Sequence, residues 1–504
     1  MNLEKRVKQR IDNNLDKIAK NPYEKKHVFP LWAKISIPLG SVVLATSVAL
    51  GVILPLTHGH KAIEPLPAQV QRLTMPKLDK ITNERVIDIS STAYNSYIAF
   101  AKKFTSLMME VNNRENEGSL GISIPDAYLC LAITGAISTD EARNDVLSYL
   151  ELNNMDELRT SVKEIITTLG TLYKNKDTDK LVGGYNLNSV WFNPDKVSLL
   201  EEKDEQLYKD LEEVFDASLY YEALTSDKAN DYLKENGLKD MPTPKIKLDD
   251  EDPSAINAMS TYYCLDCFSE KETEYYRNQF KSGDHKMDYT YGNKTDKVDY
   301  LSRLYDGGPV YENDNFYGSM MPIGDVLSMS YFLPNDKTAL PSSILDDVLN
   351  NNYHQKQSSY YNEWTEEVKE TFCHKVTINA PYFSLDNAAE LNRGDLSKIL
   401  PIITKRGAGE RIATANYGLP MYLDYLKQFS VMKFNYDGFY SCSVTISGID
   451  AEAIPYEPEY EEFELTLDHP YVFEVTKNLF VGDNATASKI PLVIGEIVDP
   501  GYKD

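Results

Sequence analysis

The sequence predicts an α+β fold, in which helices come first along the chain and strands outnumber them after about residue 255. Apolar residues repeating every three to four positions, as in amphipathic helices, are concentrated between residues 90 and 150. The strand-like runs that follow do not alternate with helices, as they would in a doubly wound parallel sheet. We therefore predict one α+β domain and place it at residues 87–504.

Three helices are predicted at the start of this domain. The first follows Ser90 or Ser91, either of which can cap its N-terminus, and its apolar residues recur on one face. These apolar residues are Tyr94, Tyr97, Ile98, Ala101, Phe104, Leu107 and Met108. The second helix carries Pro125 in its first turn and is expected to end at Gly135, and the third opens at Thr139.

The N-terminal segment predicts a membrane anchor. Residues 1–34 are polar with an excess of lysine and arginine, and the 22 residues from 35 to 56 carry no charge. As a helix those residues would extend about 33 Å, enough to cross a hydrocarbon core of about 30 Å. Because the basic side stays in the cytoplasm, we predict a cytoplasmic tail over 1–34, a transmembrane helix over 35–56 and an extracellular linker over 57–86.

A cleaved signal peptide is the alternative interpretation of this segment. Against it, the basic region is long, the apolar run exceeds the usual length of about 7–15 residues, and no small-x-small site follows Leu56. The expected location is thus the cell membrane, with a single span and the large domain outside. Secretion after cleavage stays the alternative.

The composition argues against several classes of function. A net charge of −25 opposes nucleic acid as a partner, since phosphate binding needs a basic surface. The five cysteines are too few, and odd in number, for a disulfide framework. Cys264 and Cys267 lie in a run typical of a strand rather than of a metal or redox loop. Since no HExxH, GxGxxG, Walker or GxSxG motif occurs, we expect no catalytic residue, metal or cofactor.

The stretch from Lys433 to Pro500 predicts strands on either side of an acidic loop. Residues 441–446 are small or β-branched and suit a pleated surface. Residues 448–462 contain two prolines, six acidic residues and no basic one, which is typical of an exposed loop. A second apolar run over 463–475 is interrupted at Asp468-His469-Pro470, and a third apolar run closes the chain at 491–500.

Several motifs resemble those of the serpin family, in family order across about residues 88–501. DHPYVFEV at 468–475 resembles the family's D-x-P-F-x-F-x-I, and VIGEIVDP at 493–500 resembles its closing motif. LSMSYFLP at 327–334, VTINAPYF at 376–383 and Asn257-Ala258-Met259 resemble family strands. The resemblance implies a serpin fold: N-terminal helices packed on a large central β-sheet, smaller sheets, and an exposed reactive-centre loop near the C-terminus.

The resemblance implies a protease inhibitor that acts as a suicide substrate. In such proteins a serine or cysteine protease attacks the loop and forms an acyl-enzyme, and the freed hinge then inserts as a new strand of the large sheet. The expected partner is therefore a target protease, and we expect a monomer with no catalytic group of its own. A serpin-fold surface binding protein without inhibitory activity is the alternative, and an unrelated membrane-anchored enzyme is a third hypothesis.

By this resemblance, the hinge of the reactive loop spans ten residues and is expected to lie outside the sheet that it would complete. These residues are Tyr436, Asp437, Gly438, Phe439, Tyr440, Ser441, Cys442, Ser443, Val444 and Thr445. Strand alternation would turn Phe439, Ser441, Ser443 and Thr445 inward on insertion. Forcing the aromatic ring of Phe439 into a packed sheet is expected to cost about 1–3 kcal/mol and to slow insertion.

Other residues also depart from the family pattern. Phe439 stands in the place of a threonine, Tyr436 of a glutamate, Gln428 of a histidine and Leu265 of a tryptophan. Since trapping must outrun deacylation, slow insertion would turn an inhibitor into a substrate. Inhibition is therefore a hypothesis that these four positions put in question.

The scissile bond has two candidate positions. Counting from the hinge places it at Glu452-Ala453, whereas counting back from His469-Pro470 places it nearer Tyr456 and Glu457. The two counts disagree because the loop is longer than usual for the family. An acidic loop would favour proteases with basic clefts, and a loop kept soluble by its charge is equally compatible with the composition.

Overall fold

Helices gather in the first part of the described chain, as the sequence predicts. The computed structural model describes residues 88–115, 118–170, 172–174, 181–202, 204–238, 241–268, 270–283, 285–324, 326–362, 367–442, 459–479 and 488–501. The helices are α1 (Thr92–Glu115), α2 (Ile124–Ile137), α3 (Asp140–Tyr149), α4 (Met155–Leu169), α5 (Glu205–Glu213), α6 (Ser226–Asn236), α7 (Glu270–Ser282), α8 (Ser342–Leu349) and α9 (Arg393–Ile399).

The first two helices begin where the sequence indicates, but the second ends later. Ser91 Oγ accepts the backbone N–H of Tyr94 at 3.1 Å, so Ser91 rather than Ser90 caps α1. Helix α2 passes through Gly135 and ends at Ile137. A side chain at Gly135 would come within 2.9 Å of Val146 in α3. The glycine therefore permits close packing of the two helices and does not end α2, which corrects the predicted boundary.

Twenty-two strands occur in the described residues. The first half comprises β1 (Leu120–Ser123), β2 (Leu172–Lys174), β3 (Leu181–Phe192), β4 (Val197–Leu199), β5 (Ala217–Tyr220), β6 (Ile256–Cys267), β7 (Lys286–Tyr291), β8 (Lys294–Glu312), β9 (Phe316–Pro322), β10 (Leu327–Pro334) and β11 (His354–Gln355). The second half comprises β12 (Ser358–Asn362), β13 (Glu367–Thr371), β14 (Cys373–Pro381), β15 (Phe383–Asn392), β16 (Ala413–Ala415), β17 (Tyr425–Asn435), β18 (Gly438–Cys442), β19 (Glu459–Tyr460), β20 (Glu462–Thr466), β21 (Tyr471–Leu479) and β22 (Ser488–Ile497).

Two large sheets organise these strands. The central sheet has seven strands in the order β15-β17-β18-β6-β3-β2, with β5 also paired to β3. A ten-stranded sheet runs β1-β22-β21-β10-β9-β8-β14-β20, with β7 and β11 attached to β8. Smaller sheets join β13-β12-β19 and β16-β4. Helices that precede a mainly antiparallel set of strands confirm the predicted α+β class.

One continuous core joins the two large sheets to the first helices. It contains Tyr262 and Cys264 of β6, Met432 and Phe434 of β17, Val472 and Val493 of the ten-stranded sheet, and Phe100 and Phe104 of α1. Hydrogen bonds cross it: the Tyr97 hydroxyl donates to the Pro491 carbonyl at 2.8 Å, and the Tyr262 hydroxyl donates to the Leu169 carbonyl at 3.1 Å. The described residues belong to a single compact unit.

A second apolar cluster covers the outer face of the central sheet. Trp191 of β3 stacks on Tyr220 with ring centroids 3.9 Å apart, and both belong with Leu233 of α6 and Ile246 to this cluster. Met259 of β6 and Phe429 of β17 pack against the same cluster from the sheet. Helix α6 and the segment after it therefore lie across β3, β6 and β17.

Residues 1–87, and with them the predicted tail, membrane span and linker, lie outside the described residues. Among the helices that the structure does describe, none is long and apolar enough to cross a membrane. The anchor over 35–56 therefore stays a prediction.

Candidate functional site

Five of the ten residues predicted to form the hinge, 438–442, lie within the central sheet. β18, Gly438–Cys442, pairs antiparallel with β17 on one side and with β6 on the other. The expectation that the whole hinge lies outside the sheet is wrong for these residues. The physical reason is the tight turn at 436–437, which folds β18 back along β17 in register from Asn435↔Gly438 to Val431↔Cys442.

Side chains and backbone groups around the turn hold it in place. Gly438 has φ +133, and a Cβ there would lie 2.3 Å from the Asp266 carbonyl oxygen, so the close approach of β18 to β6 requires glycine. Asn435 Oδ1 accepts the Asp437 N–H at 2.9 Å. Arg277 of α7 donates to Asp437 Oδ1 at 2.8 Å, and its guanidinium lies 5.3 Å from the centre of the Tyr436 ring. Tyr436 and Asp437 are thus part of a structured hairpin turn.

Phe439 is buried in the core, with 0% of its surface exposed. Its ring meets Phe383 edge to face at a centroid distance of 6.4 Å, and it lies opposite Phe434 in the β17 register. Ser441, two residues on, is also 0% exposed. The ring that was expected to oppose insertion is therefore already accommodated on the core-facing side of the sheet.

Beyond Cys442, none of the described strands lies between β6 and β17. Within the described residues, no backbone pairing joins residues 256–262 of β6 to residues 425–430 of β17, although both strands continue. These two segments line a cavity of about 730 Å³. Its other walls include Ala127 and Cys130 of α2 and Leu233 of α6. We call this space the strand gap.

A polar cluster lies on the core side of the strand gap. Gln428 of β17 accepts the Ser123 N–H at Oε1, 2.9 Å, and donates from Nε2 to the Ser123 carbonyl at 2.7 Å. The same Nε2 lies 3.2 Å from Asp126 Oδ2. Burial raises the pKa of Asp126 to about 6, against the opposing effect of hydrogen bonds from Ser123 and Gln428. Asp126 Oδ1 and Ser260 Oγ are shielded from solvent and have no hydrogen-bond partner in the described part of the chain.

The sequence marks Gln428 as a departure from the family pattern but does not indicate its partners. The available signal was local: Ser123 precedes a helix, and Asp126 occupies the first turn of that helix. Nothing in the sequence links these residues to Gln428, which is 302 positions from Asp126.

The far end of β6 is fixed by a buried carboxylate. Asp266 Oδ1 accepts the Cys267 N–H at 3.0 Å, and Oδ2 accepts the N–H groups of Val326 and Leu327 at 3.3 and 2.8 Å. Leu265, in the place of a family tryptophan, is buried on the outer face with Tyr185 and Tyr263. The end of β6 that pairs with β18 is therefore tied to the start of β10.

The C-terminal side of the loop is tied to a hairpin. β19 pairs with β12 at Tyr360↔Tyr460 and Tyr361↔Glu459, and β12 pairs in turn with β13. The Lys375 N–H donates to the Glu461 carbonyl at 2.9 Å, just before β20. The expected exposed loop over 448–462 thus gives way to strand at Glu459, which corrects its predicted end. The predicted site residues Ser443, Val444, Thr445, Glu452, Ala453, Tyr456 and Glu457 lie outside the described residues.

The described residues form no group of three or more His, Cys, Asp or Glu side chains that could hold a metal ion. Cys264 faces the main core, whereas Cys267 belongs to the cluster on the outer face. Two cysteines on opposite faces of one strand cannot bind the same metal ion. Neither cysteine takes part in a disulfide bond within the described residues, and both are buried.

Of the comparisons with known proteins, only the comparison with solved structures finds matches, and it supports the fold. No family model matches the sequence, and no curated protein does. Among solved structures, the thermophilic serpin tengpin in its native state matches with a TM-score of 0.55 at 14% identity, covering 82% of this chain and 96% of that one. Serpin1 of Arabidopsis, in its native stressed conformation, matches with a TM-score of 0.54 at 16% identity, and the match covers 81% of this chain and 99% of that one.

A third solved structure is human thyroxine-binding globulin complexed with thyroxine, at a TM-score of 0.55 and 12% identity, covering 82% of this chain and 100% of that one. At such identities the likeness shows the fold. The chain has the serpin fold, with a large central sheet and smaller sheets, as predicted.

Proposed function

We propose that this protein inhibits a serine or cysteine protease by presenting the loop between Cys442 and Glu459 as a substrate. The protease would form an acyl-enzyme with the loop residue on the N-terminal side of the cut, and the freed segment would extend β18 into the strand gap. The observation that carries this proposal is the position of β18, whose last residue lies where the strand gap begins.

The geometry favours extension of β18 over the start of a new strand. Residues from Gly438 to Cys442 already pair with both neighbours, so the turn and the register are set before any cut. Each further residue would add backbone hydrogen bonds to β6 and β17, at about 1 kcal/mol of net stabilisation each. Ser443, Val444 and Thr445 are small enough for the position. Phe439 adds nothing to the barrier, because its ring is buried beforehand.

In this proposal the protease supplies every catalytic group, and the inhibitor supplies the strand. The cut would fall at Glu452-Ala453 or near Tyr456 and Glu457, and the acidic loop would favour a protease with a basic cleft. We further propose that the protein is a monomer held at the outer cell surface by residues 35–56, with secretion after cleavage as the alternative.

A serpin-fold binding protein without inhibitory activity is the second candidate. The solved structures of this fold include one named as a protein-Z dependent protease inhibitor and also thyroxine-binding globulin, which was solved in complex with thyroxine. The partial insertion of β18 is compatible with that class too, since a partly filled sheet can also be a stable end state. The two candidates differ in the outcome of a cut in the loop.

Incubation with a panel of proteases distinguishes the two candidate functions. The panel includes enzymes that cut after glutamate and after tyrosine. A trap gives a covalent complex that survives boiling in detergent, and cutting raises the melting temperature of the inhibitor sharply. Clean cleavage, with no complex for any protease and no rise in melting temperature, would contradict the proposal. Ser443→Arg is the matched control, because it places a charge on the core-facing side of the extended strand: its loop should be cut at the same rate without a complex.

A further inference from the structure

We infer that His374 of β14 is a pH sensor, whose protonation releases the C-terminal end of the loop from the β12–β13 hairpin. The element that responds is β19, Glu459–Tyr460, through its pairing with β12. The inference concerns the uncut protein and goes beyond the proposed function, because it holds whether or not a cut in the loop traps a protease.

The His374 ring is a buried polar group without a partner. His374 is 2% exposed, and neither Nδ1 nor Nε2 has a hydrogen-bond partner among the described residues. Strand alternation places its side chain on the same face of β14 as Val376 and Ile378, which are fully buried. A neutral imidazole can lie at the end of such an apolar row at moderate cost, whereas an unpaired imidazolium cannot. The fold therefore favours the uncharged ring.

His374 lies next to the groups that join β19 to its neighbours. Its ring packs against that of Phe463 in β20, with centroids 6.4 Å apart and the planes at 66°. The N–H of the following residue, Lys375, donates to the Glu461 carbonyl oxygen at 2.9 Å, and Ser359 Oγ of β12 donates to Glu461 Oε1 at 2.9 Å. Movement of a charged ring toward solvent would therefore disturb the contacts of Phe463 and Glu461.

A β-bulge in β8 occurs at the level of His374. The register of β14 against β8 shifts between His374 and Lys375 from Gly308 to Asp306, so that Gly307, with φ +80, is the extra residue. A bulge interrupts the ladder and lets a strand bend locally. On the other side of β14, the parallel pairing with β20 begins one residue after His374. A charge at this position can therefore be relieved by local opening, without unfolding of the domain.

Three charged groups face His374: Glu312 of β8, Lys356 after β11 and Glu461 before β20. Glu312 is engaged elsewhere, with its Oε2 3.3 Å from Lys356 Nζ and its Oε1 3.5 Å from Nε2 of the exposed His354. Glu461 accepts its hydrogen bond from β12. Neither carboxylate bonds the His374 ring in the described part of the chain, so an added proton there has no counter-ion.

The sign of the pH effect follows from this environment. Burial lowers the pKa of His374 below its usual 6.5; Glu461, the Phe372 backbone and Glu312 oppose this effect, and Lys356 reinforces it. An open state with a solvated ring therefore binds a proton more readily than the closed state. The stability that the neutral ring gives the closed state is fully present above about pH 6.5 and is lost as pH falls below that value. Acid thus releases β19.

The test is amide hydrogen exchange of the full-length, uncut protein between about pH 5 and 7.5, corrected for the intrinsic pH dependence of exchange. We expect the protection of residues 358–361 and 459–461 to fall several-fold below pH 6.5 in the parent protein. His374→Phe keeps an aromatic ring against Phe463 but removes the ionisable group, and it should lose this pH dependence. His354→Phe, at an exposed position nearby, is the matched control and should behave like the parent protein.

The comparison of these three proteins isolates His374. Asp126 and Glu496 also titrate in this range, but all three proteins contain them. Protection that is independent of pH in the parent protein, or that falls equally in His374→Phe, overturns the inference. A second measurement needs no variant, since exchange of the imidazole C2 proton titrates His374 in the parent protein directly. Titration below pH 6.5 supports the sensor, and titration at or above pH 6.5 overturns it.

Discussion

Gln428 binds both main-chain groups of Ser123, accepting its N–H at 2.9 Å and donating to its carbonyl oxygen at 2.7 Å. One amide side chain thus joins β17 of the central sheet to the residue at which β1 ends and α2 begins. Gln428 is 7% exposed and Ser123 2%, so water cannot readily replace either bond.

Replacing Gln428 with alanine is expected to lower the free energy of unfolding by about 2–4 kcal/mol, because two buried backbone groups lose their partners. Urea denaturation of the uncut protein measures the change. Gln355→Ala, at an exposed position in β11, is the matched control and should change stability by less than about 0.5 kcal/mol. Equal midpoints for the two variants would show that the Gln428 amide has no such role.

Asp126 gives the uncut protein a specific pH dependence. Burial raises its pKa from 3.8 to about 6, so the folded protein retains a proton that the unfolded chain has released. The stability that this group contributes is fully present below about pH 3.8 and is lost as pH rises through about 6.

The corresponding measurement is the free energy of unfolding of the parent protein minus that of Asp126→Asn between pH 3.5 and 7. We expect this difference to fall by about 2–3 kcal/mol as pH rises. Subtraction removes other groups, such as Glu496, whose pKa burial raises to about 7. A flat difference, or one that grows with pH, would be inconsistent with a buried carboxyl group at this position.

Phe439→Ala should destabilise the uncut protein by about 3–5 kcal/mol, since the substitution removes a fully buried aromatic ring. Tyr417→Ala is the control, because Tyr417 is 81% exposed and its loss should be nearly neutral. Thermal and urea unfolding of both variants provide the comparison. If Phe439→Ala were as stable as the control, β18 would not be packed in the sheet in solution.

Arg277→Ala should loosen β18 without much loss of global stability. The Arg277–Asp437 ion pair is partly exposed, so its net contribution is under about 1 kcal/mol, but it lies at the turn that positions β18. We expect amide hydrogen exchange over 436–442 to speed up several-fold. Lys281→Ala, an exposed position in the same helix, is the control. Exchange that is unchanged in Arg277→Ala would exclude the ion pair as a restraint on the turn.

The strands were predictable because their signals are local. LSMSYFLP at 327–334 coincides with β10, and the interruption at 468–470 falls between β20 and β21. The burial of Phe439 could not be predicted from the sequence, because it depends on the fit of Gly438 against Asp266 and on a pocket formed by Phe383 and Phe434. The Asp126–Gln428 contact likewise joins distant parts of the chain, and only the folded sheet brings them together.

The position of the last three strands has a practical consequence for the purification of this protein. Strands β20, β21 and β22 come after the loop in sequence, yet they are built into the ten-stranded sheet. A molecule nicked between Cys442 and Glu459 should therefore stay together as a two-chain species that co-elutes with intact material on gel filtration. Only a denaturing gel would reveal the short C-terminal fragment, so a fully cleaved preparation can still look homogeneous.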